Sequence, residues 1–246
     1  MRLEGKTALI TGGASGFGAG IARTFRAEGA RVMIADIDAE AVEAMAGVLG
    51  AEFVVADVGE DASVAHMAAC ALGALGPLDI LVNNAGITHL PQPMEEVGEA
   101  EFDRVFRVNA KSVYLTARHL VPEMKARRRG AILNIASTAG LSPRARLSWY
   151  NASKGWMITA TKSMAVGIAP HGVRVNALCP VAGETPLLKS FLGEDTPEMR
   201  AKFLATIPLG RFSLPEDIGN AACYLCSDEA SMVTGVALEV DGGRVI

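Results

Sequence analysis

Strong net charge and long apolar runs are both missing from this chain of 246 residues. The 23 Lys and Arg residues and the 27 Asp and Glu residues leave a net charge of −4, which gives no reason to expect nucleic-acid binding. No segment approaches the ~18–20 apolar residues of a membrane span. The start of the chain also lacks the apolar run typical of a signal peptide. We therefore expect a cytoplasmic protein whose partner is a small-molecule substrate, with no nucleic acid and no membrane involved.

Cysteine is scarce as well, with four residues in the chain. Cys223 and Cys226 form a C-x-x-C spacing, which occurs in redox pairs and in half of a zinc site. No second C-x-x-C and no nearby pair of histidines completes a metal site. The segment 216–226 has helical apolar spacing, so we interpret both thiols as packing residues of a late helix and expect no metal.

Short apolar strands alternate with helical stretches along the chain, a pattern typical of a doubly wound parallel sheet. Strands are predicted at residues 6–11, 31–35, 52–56, 79–83, 131–136, 173–178 and 236–240. The longest helices are predicted at residues 99–126 and 149–168. The predicted fold class is therefore α/β, with a seven-stranded Rossmann-like sheet, helices on both faces and a single domain over residues 1–246. In such a sheet the ligand binds at the carboxyl ends of the strands, near the switch in strand order.

Residues 183–212 interrupt this alternation with glycine, proline, charged residues and scattered apolar residues. A long, partly helical insertion after the sixth strand predicts a lid over the substrate. The alternative is a static excursion on the surface.

A glycine cluster directly follows the first predicted strand and precedes a helical stretch. Gly12 would allow the tight turn, Gly16 the close approach of a pyrophosphate, and Gly18 the close packing of helix against strand. The start of the helix would then offer unpaired backbone N–H groups and a partial positive charge to the phosphates. This context predicts a dinucleotide-binding loop.

The second predicted strand ends at Asp36, about 20 positions past the glycine loop, where a carboxylate can accept hydrogen bonds from an adenosine ribose. The same carboxylate would repel a 2′-phosphate, and no Lys or Arg stands between Thr11 and Gly20 to counter that repulsion. We therefore predict NAD(H) as the cofactor rather than NADP(H). In the alternative interpretation Asp36 only caps the next helix, although Asp38 is also placed to do so.

Tyr150 and Lys154 stand four positions apart, which puts a phenol and an ammonium on one helix face. A free tyrosine, with a pKa of ~10, is a poor base at neutral pH, and a nearby cation favours the phenolate. Lowering that pKa to ~7 requires roughly 4 kcal/mol. A close lysine and one further positive group, such as a pyridinium ring, can supply it. The pair predicts a proton-transfer site for alcohol and carbonyl chemistry.

Taken together, these segments resemble the short-chain dehydrogenase/reductase family over nearly the whole chain. The matching segments come in order as Thr11-Gly12 through Gly18, Asp57-Val58, Asn83 to Gly86, Asn109, Ser137, Tyr150 with Lys154, Pro180 with Thr185, and Asp241-Gly242-Gly243. The order and spacing of the whole set make the resemblance specific. The family commonly forms tetramers, so the resemblance also implies a homotetramer.

The resemblance implies roles for four catalytic residues. Tyr150 would be the acid/base, and Lys154 would bind the nicotinamide ribose and lower the tyrosine pKa. Ser137 would hydrogen-bond the substrate oxygen, and Asn109 would hold a water that links the lysine to bulk solvent. The implied cofactor contacts are Gly12, Ser15, Gly16, Phe17, Gly18, Asp36, Asp57, Val58, Asn84, Ala85, Gly86, Tyr150, Lys154, Pro180, Val181 and Thr185.

Two positions depart from the family pattern. Phe17 stands where Ile or Leu is usual, and because its backbone N–H is still available we expect only local repacking. Val181 stands where the family has glycine, and valine forbids backbone angles that glycine allows. We therefore expect the segment 179–185 to shape the nicotinamide and substrate side differently, with Thr185 still contacting the nicotinamide amide.

The substrate is less well defined by the sequence. Arg144 and Arg146 lie between Ser137 and Tyr150, and a guanidinium there can anchor a carboxylate or phosphate with two hydrogen bonds. As a hypothesis this favours a small anionic or polyhydroxy substrate, although arginines in such a loop more often face solvent or a neighbouring subunit.

Three functions therefore remain open. The first is an NAD-dependent dehydrogenase or carbonyl reductase that transfers hydride between a secondary alcohol or ketone and nicotinamide. The second is a 3-oxoacyl thioester reductase, although such enzymes usually prefer NADPH and carry basic residues where this chain has Ala14-Ser15 and Asp36. The third is a catalytically silent NAD(H)-binding sensor, which would not need Asn109, Ser137, Tyr150 and Lys154 all intact.

Overall fold

A computed structural model, which describes residues 1–246, contains one sheet of seven parallel strands in the order β3-β2-β1-β4-β5-β6-β7. The strands are β1 Thr7–Thr11, β2 Arg31–Asp36, β3 Glu52–Val55, β4 Ile80–Asn83, β5 Gly130–Ile135, β6 Val173–Pro180 and β7 Ala237–Val240. All seven strands occur where the apolar runs predict them, and the predicted fold class is confirmed. Each boundary lies within two residues of its prediction.

Nine α-helices connect these strands. They are α1 Gly16–Ala27, α2 Ala39–Leu49, α3 Asp61–Leu75, α4 Glu99–Phe106, α5 Ser112–Arg127, α6 Ser148–Ile168, α7 Leu187–Leu192, α8 Pro197–Leu204 and α9 Pro215–Cys226. The predicted helix at 149–168 is α6. The predicted helix at 99–126 is two helices, because the π-helical turn Arg107–Lys111 separates α4 from α5. No helix has the length and apolar character that crossing a bilayer requires.

The sheet is covered on both faces, as the alternation of side chains along its strands dictates. In β1, Ile10 packs with α1, α2 and α9 in one apolar core, whereas its neighbour Leu9 packs with α3, α5 and α6 in the other. Cys223 and Cys226 are buried in the first of these cores, on the inner side of α9. The two cores fix the sheet between its helices and leave its carboxyl edge open for a ligand.

The strand order reverses between β1 and β4. Strand β1 pairs with β2 on one side and with β4 on the other, so the connections leave β1 and β4 in opposite directions across the sheet. Such a switch point opens a crevice outside the carboxyl ends of the strands. The predicted ligand position therefore coincides with a real opening in the fold.

The segment after β6 has an apolar core of its own. Val181, Leu188, Leu192, Phe203, Ile207 and Phe212 form a separate buried cluster that joins α7 and α8 to the end of β6. Val181 is 3% exposed in this cluster and is not among the residues with positive φ. The valine that replaces the expected glycine therefore anchors the segment 183–212 through its side chain.

Candidate active site

A cleft of about 620 Å³ lies at the carboxyl edge of the sheet. It is lined by sixteen of the predicted site residues, which are Gly12, Ser15, Gly16, Phe17, Asp36, Asp57, Val58, Asn84, Ala85, Gly86, Ser137, Tyr150, Lys154, Pro180, Val181 and Thr185. Gly18, Asn109, Arg144 and Arg146 lie outside this lining. Gly18 packs behind the wall against Gly12 and Asn84, and Asn109 hydrogen-bonds the lining residue Ile87 from behind it.

The glycine loop has the geometry that its three glycines predict. Gly12 and Gly16 have φ values of +63° and +53°, a left-handed conformation that favours glycine. A Cβ at Gly18 would lie 2.0 Å from the Gly12 carbonyl oxygen, so no side chain fits there. Helix α1 then begins at Gly16 without a side-chain cap and without an acidic residue in its first turn. Its first N–H groups are consequently free to face an anion in the cleft.

A hydrogen-bonded strut ties the glycine loop to the end of β4. The Asn84 side chain donates to the carbonyl oxygens of Thr11 and Gly12, both at 2.9 Å. The Thr11 hydroxyl accepts in return from the backbone N–H groups of Asn84 and Ala85, both at 3.1 Å. Asn84 therefore acts on the cleft by positioning the loop, because its side-chain nitrogen points away from the cleft and into this strut.

Asp36 faces the cleft with one oxygen fixed by its own turn. Its Oδ1 accepts from the N–H groups of Ile37 and Asp38, and its Oδ2 accepts from Ala14 N at 3.1 Å. The cap of α2 is Asp38, whose side chain accepts from Ala41 N at 3.0 Å. The alternative interpretation of Asp36 as a helix cap is therefore wrong. Its carboxylate is left at the cleft wall beside the glycine loop.

Two arginines that were not among the predicted site residues, Arg104 and Arg107, also line the cleft. Arg107 forms ion pairs with Asp57 at 3.1 Å and with Glu60 at 2.7 Å, so it closes the cleft beside Asp57 and Val58, two of the implied cofactor contacts. Arg104 pairs with Glu101 one turn earlier on α4. The Arg107 pairs join the π-helical turn after α4 to the loop after β3, and no local motif in the sequence marks them.

Tyr150 and Lys154 lie one turn apart on α6, and both are buried. The Lys154 ammonium donates to the carbonyl oxygen of Ile135, at the end of β5, at 2.8 Å. Ser137 follows β5 directly, and its hydroxyl accepts from Ala139 N at 3.1 Å. The three side chains therefore converge because β5 and α6 pack against each other at the carboxyl edge.

Burial controls the proton affinities of this group. It raises the pKa of Tyr150 above its ordinary value, and a hydrogen bond with Ser137 lowers that pKa by a smaller amount. Burial also lowers the pKa of Lys154 from 10.5 to about 8. The predicted net lowering of the Tyr150 pKa by Lys154 is therefore not found among the groups of the chain itself. At neutral pH the site presents a neutral phenol next to a protonated amine, a pair suited to proton donation.

Asn109 is fully buried in the π-helical turn between α4 and α5. Its Oδ1 accepts from Ile87 N, and its Nδ2 donates to Ile87 O and to the Ser153 hydroxyl, all at 2.9 Å. Such turns interrupt regular α-helical hydrogen bonding and are frequent at functional sites. Here the turn holds the β4 loop against α6, one residue before Lys154.

The other departure from the expected pattern, Phe17, packs across the cleft. A Cβ at Gly183 would lie 2.4 Å from the Phe17 ring, so the phenyl group rests on a position that only glycine can occupy. Thr185 approaches the glycine loop on the same side. An added Cβ at Gly16 would lie 3.2 Å from the Cβ of Thr185. The start of the segment 183–212 is thus seated directly on the dinucleotide loop.

The two arginines that the sequence offers for substrate binding have different surroundings. Arg146 is exposed, has a φ of +67° and donates to Pro91 O at 3.4 Å. Arg144 is half-buried and donates to Phe191 O at 3.0 Å, with Phe191 in the cleft wall. Only Arg144 therefore contacts the substrate end of the cleft.

Comparison with known proteins agrees with this architecture. A protein-family profile described as enoyl-(acyl carrier protein) reductase matches residues 12–244. A 4-formylbenzenesulfonate dehydrogenase of Comamonas testosteroni is 47% identical over the full length of both chains. A 2-dehydro-3-deoxy-L-rhamnonate dehydrogenase (NAD(+)) of a Sphingomonas species is 37% identical over 99% of this chain and 96% of its own.

Among solved structures, the chain is similar to a 3-ketoacyl-(acyl-carrier-protein) reductase from Brucella melitensis complexed with NADH. The identity is 50% and the TM-score 0.95, over 99% of this chain and 100% of that one. Full-length relatives that are named dehydrogenases and reductases identify the chain as an oxidoreductase enzyme rather than a silent sensor. The chain belongs to the short-chain dehydrogenase/reductase family.

Proposed function

We propose that the enzyme transfers hydride between NAD(H) and a secondary alcohol or ketone of a small polar substrate. The observation that carries this proposal is the shape of the cleft. Ser137, Tyr150 and Lys154 converge at one end of it, and the glycine loop and Asp36 form the other end. An extended dinucleotide has its reactive ring and its adenosine at opposite ends, and the cleft separates the two sets of residues in the same way.

The wall also fits a dinucleotide in detail. An added Cβ at Gly12 would lie 2.9 Å from Ala85 Cα, so the loop packs directly on the end of β4. The start of α1, which has no side-chain cap, leaves backbone N–H groups for a diphosphate. We assign the diphosphate to the Gly12–Gly18 loop, the adenosine to Asp36 and Asp57-Val58, and the nicotinamide ribose to Tyr150 and Lys154. Pro180, Val181 and Thr185 would border the nicotinamide, which supplies the hydride donor or acceptor when bound.

The residues of the chain supply the proton. In the direction of ketone reduction, the neutral Tyr150 hydroxyl donates its proton to the substrate oxygen as hydride reaches the adjacent carbon. The Ser137 hydroxyl holds the same oxygen and stabilises its developing charge. Lys154 stabilises the phenolate that remains, and we assign to Asn109 the water through which that phenolate is reprotonated. The oxidation of an alcohol is the reverse of these steps.

The segment 183–212 is proposed to be a lid of this one-domain enzyme. It starts on the glycine loop at Thr185 and carries Phe191 to within 5.8 Å of the Tyr150 ring, measured between ring centroids. Its apolar cluster is separate from the two cores of the sheet, which allows the segment to move without disturbing them. Its closure would exclude water from the reacting oxygen.

Asp36 is proposed to select NAD over NADP, and the variant Asp36→Ala tests this. We expect kcat/KM with NAD to fall by ~10–100-fold, the value of a lost hydrogen bond to a charged group. The NAD/NADP preference should fall with it, because the repulsion of a 2′-phosphate is removed. Steady-state kinetics with both cofactors measure the ratio. Asp38→Ala is the matched control, since it removes the cap of α2 and leaves the cofactor preference unchanged. An unaltered ratio in Asp36→Ala contradicts the assignment.

A 3-oxoacyl thioester is the second candidate substrate, since the similar Brucella melitensis structure is a 3-ketoacyl-(acyl-carrier-protein) reductase complexed with NADH. A screen with NAD(H) separates the candidates. It compares sugars, polyols, hydroxy acids and cyclic alcohols with an acetoacetyl thioester. Asp36 favours the first group because reductases of the second kind usually prefer NADPH.

We also propose a homotetramer. Tyr114 on α5 and Trp156 and Val166 on α6 are 55%, 41% and 80% exposed, which leaves apolar surface on two long helices. We expect light scattering to give about four times the mass of one chain, whose own mass is 25.7 kDa. Replacement of Val166 by Glu should shift the assembly towards smaller species, whereas a wild-type mass equal to one chain contradicts the proposal.

A further inference from the structure

A row of aromatic rings leads away from the catalytic tyrosine. Tyr150 meets Phe191 of α7 edge-on, with ring centroids 5.8 Å apart. Phe191 meets Phe203 of α8 at 6.0 Å, and Phe203 stacks on Phe212 at 5.8 Å. The row connects the reacting end of the cleft with the inside of the segment 183–212. The row offers flat apolar surface next to Tyr150, the proposed proton donor.

Arg144 lies against two of these rings. Its Cζ is 4.9 Å from the Phe191 centroid and 5.2 Å from the Phe203 centroid. Two hydrogen bonds fix its position. The Asn151 side chain donates to Arg144 O at 2.7 Å, and Arg144 Nη1 donates to Phe191 O at 3.0 Å. The remaining N–H groups of this guanidinium make no hydrogen bond within the chain.

Arg244 reaches the same place from the end of the chain. The Asp241 carboxylate accepts from Gly243 N and Val245 N, both at 2.9 Å, and so holds the turn that carries Arg244. The Arg244 Cζ is 5.4 Å from the Phe203 centroid. Burial lowers the pKa of Arg144, and the nearby charge of Arg244 lowers it further.

Neither cation has an anionic partner. The arginine ion pairs of the chain involve Arg2, Arg104, Arg107, Arg127, Arg129, Arg200 and Arg211. Arg200 makes the contrast clear, because it also lies over a ring of the row, 5.7 Å from Phe212, yet pairs with Asp195 and Glu184. Two half-buried like charges against one phenyl ring are unfavourable alone, and an anion bound by both removes that repulsion.

We infer that Arg144 and Arg244 bind the anionic end of the substrate, which we assign to the class of aromatic carboxylates and sulfonates. This inference rests on the proposed function, since the reacting carbonyl must lie at Tyr150. Phe191 contacts both the Tyr150 ring and Arg144, and its ring would pack on the aromatic part of such a substrate. The acid group would take over the Arg144 hydrogen bond now made to Phe191 O, because a carboxylate is the stronger acceptor.

The test compares two ketones that share the ring and the acetyl group. 4-Acetylbenzoate carries an acid group where 4-methylacetophenone has a methyl group, and NADH oxidation follows the reduction of each. We expect Arg144→Gln and Arg244→Gln to lower kcat/KM for 4-acetylbenzoate by ~10–100-fold each, the effect of losing a charge-assisted hydrogen bond. Activity on 4-methylacetophenone should change by less than about threefold in both variants, since that ketone lacks the acid group. Arg146→Gln removes the same charge from the same loop and should change neither activity.

The outcomes separate the inference from the proposed function. Equal losses on both ketones, or equal losses in Arg146→Gln, overturn the inference and leave the proposed function in place. Failure of the wild-type enzyme to reduce any ketone or oxidise any alcohol with NAD(H) overturns the proposed function. Calorimetric binding of 4-acetylbenzoate then tests the inference without turnover. Weaker binding in Arg144→Gln and Arg244→Gln, but not in Arg146→Gln, supports it, and unchanged binding in all three rejects it.

Discussion

Tyr150→Phe should reduce kcat by at least ~10³-fold, within the range that a positioned general acid contributes. The substitution removes one hydroxyl and keeps the ring, so the edge-on contact with Phe191 and the burial within the Ala139 and Leu147 cluster remain. Ser137 then still holds the substrate oxygen, but no group of the chain is placed to protonate it. Single-turnover kinetics with NADH and ketone measure the chemical step directly.

The affinity for NADH should change little in Tyr150→Phe, and NADH fluorescence measures it. Tyr114→Phe is the matched control, because it removes the same atom from a tyrosine that is 55% exposed on α5. We expect that variant to retain wild-type turnover. Near-normal turnover in Tyr150→Phe contradicts the assigned role, whereas the loss of NADH binding together with turnover indicates a structural role for the hydroxyl.

Lys154→Met should impair catalysis and at the same time stabilise the fold. Burial lowers the Lys154 pKa from 10.5 to about 8, so holding this ammonium in the folded state at neutral pH costs about 3 kcal/mol. Methionine fills a similar volume without the charge. The Ile135 carbonyl loses its donor, which offsets part of the gain. We expect the free energy of unfolding to rise by about 1–3 kcal/mol at pH 7, measured without NAD(H) by urea denaturation.

The sign of the pH dependence follows from the lowered pKa of Lys154. Below pH 8 both the folded and the unfolded wild-type chains hold the proton, and the folded state carries the full penalty. Between about pH 8 and 10.5 the folded chain releases the proton first, so the penalty and the advantage of Lys154→Met both shrink. Lys162→Met, on the exposed side of the same helix, should change stability by less than about 0.5 kcal/mol. A less stable Lys154→Met at pH 7 contradicts the argument.

Catalytic loss should accompany this gain in stability. Without the ammonium, the phenolate that remains after proton donation lacks its nearest cation, and we expect kcat for ketone reduction to fall by ~10²-fold or more. Alcohol oxidation requires that phenolate, so the rate of oxidation increases with pH. In Lys154→Met this increase should occur at higher pH. A purely structural lysine would leave the position of that increase unchanged.

The fold and most of the cleft can be predicted from the sequence because their signals are local. A strand of a sheet covered on both faces favours a continuous apolar run, and β1, β2 and β4 have one. In β5, β6 and β7 the apolar residues are interrupted by single polar residues. Gly12, Asp36 and Ser137 can be placed in the cleft because they stand where such runs end. Tyr150 and Lys154 share a helix face through their spacing alone.

The features that escaped prediction depend on segments far apart in the chain. The Arg107–Asp57 pair joins the π-helical turn after α4 to the loop after β3, and Arg244 meets Phe203 only because a turn at the end of the chain folds onto α8. The sequence predicts a lowered pKa for Tyr150, because Lys154 stands one helical turn away. This pKa rises because burial, partly by Phe191 of a different segment, has the larger effect. Burial depends on how distant segments pack together, and it cannot be predicted from the helical spacing of Tyr150 and Lys154.

The placement of β4 beside β1 has a consequence for how this enzyme matures. The hydrogen bonds between Asn84 and Thr11 join residues 73 positions apart in the sequence. Because β1 pairs directly with β4, the intervening β2 and β3 must lie out of the way before these bonds can form. Contacts of such long range form slowly, since much chain has to be ordered before they contribute. A nascent chain that has emerged only as far as β3 thus carries the complete glycine motif and has no place to hold a nucleotide. Because a dinucleotide would bind only the finished crevice, its presence in the cell would favour the last steps of folding by mass action.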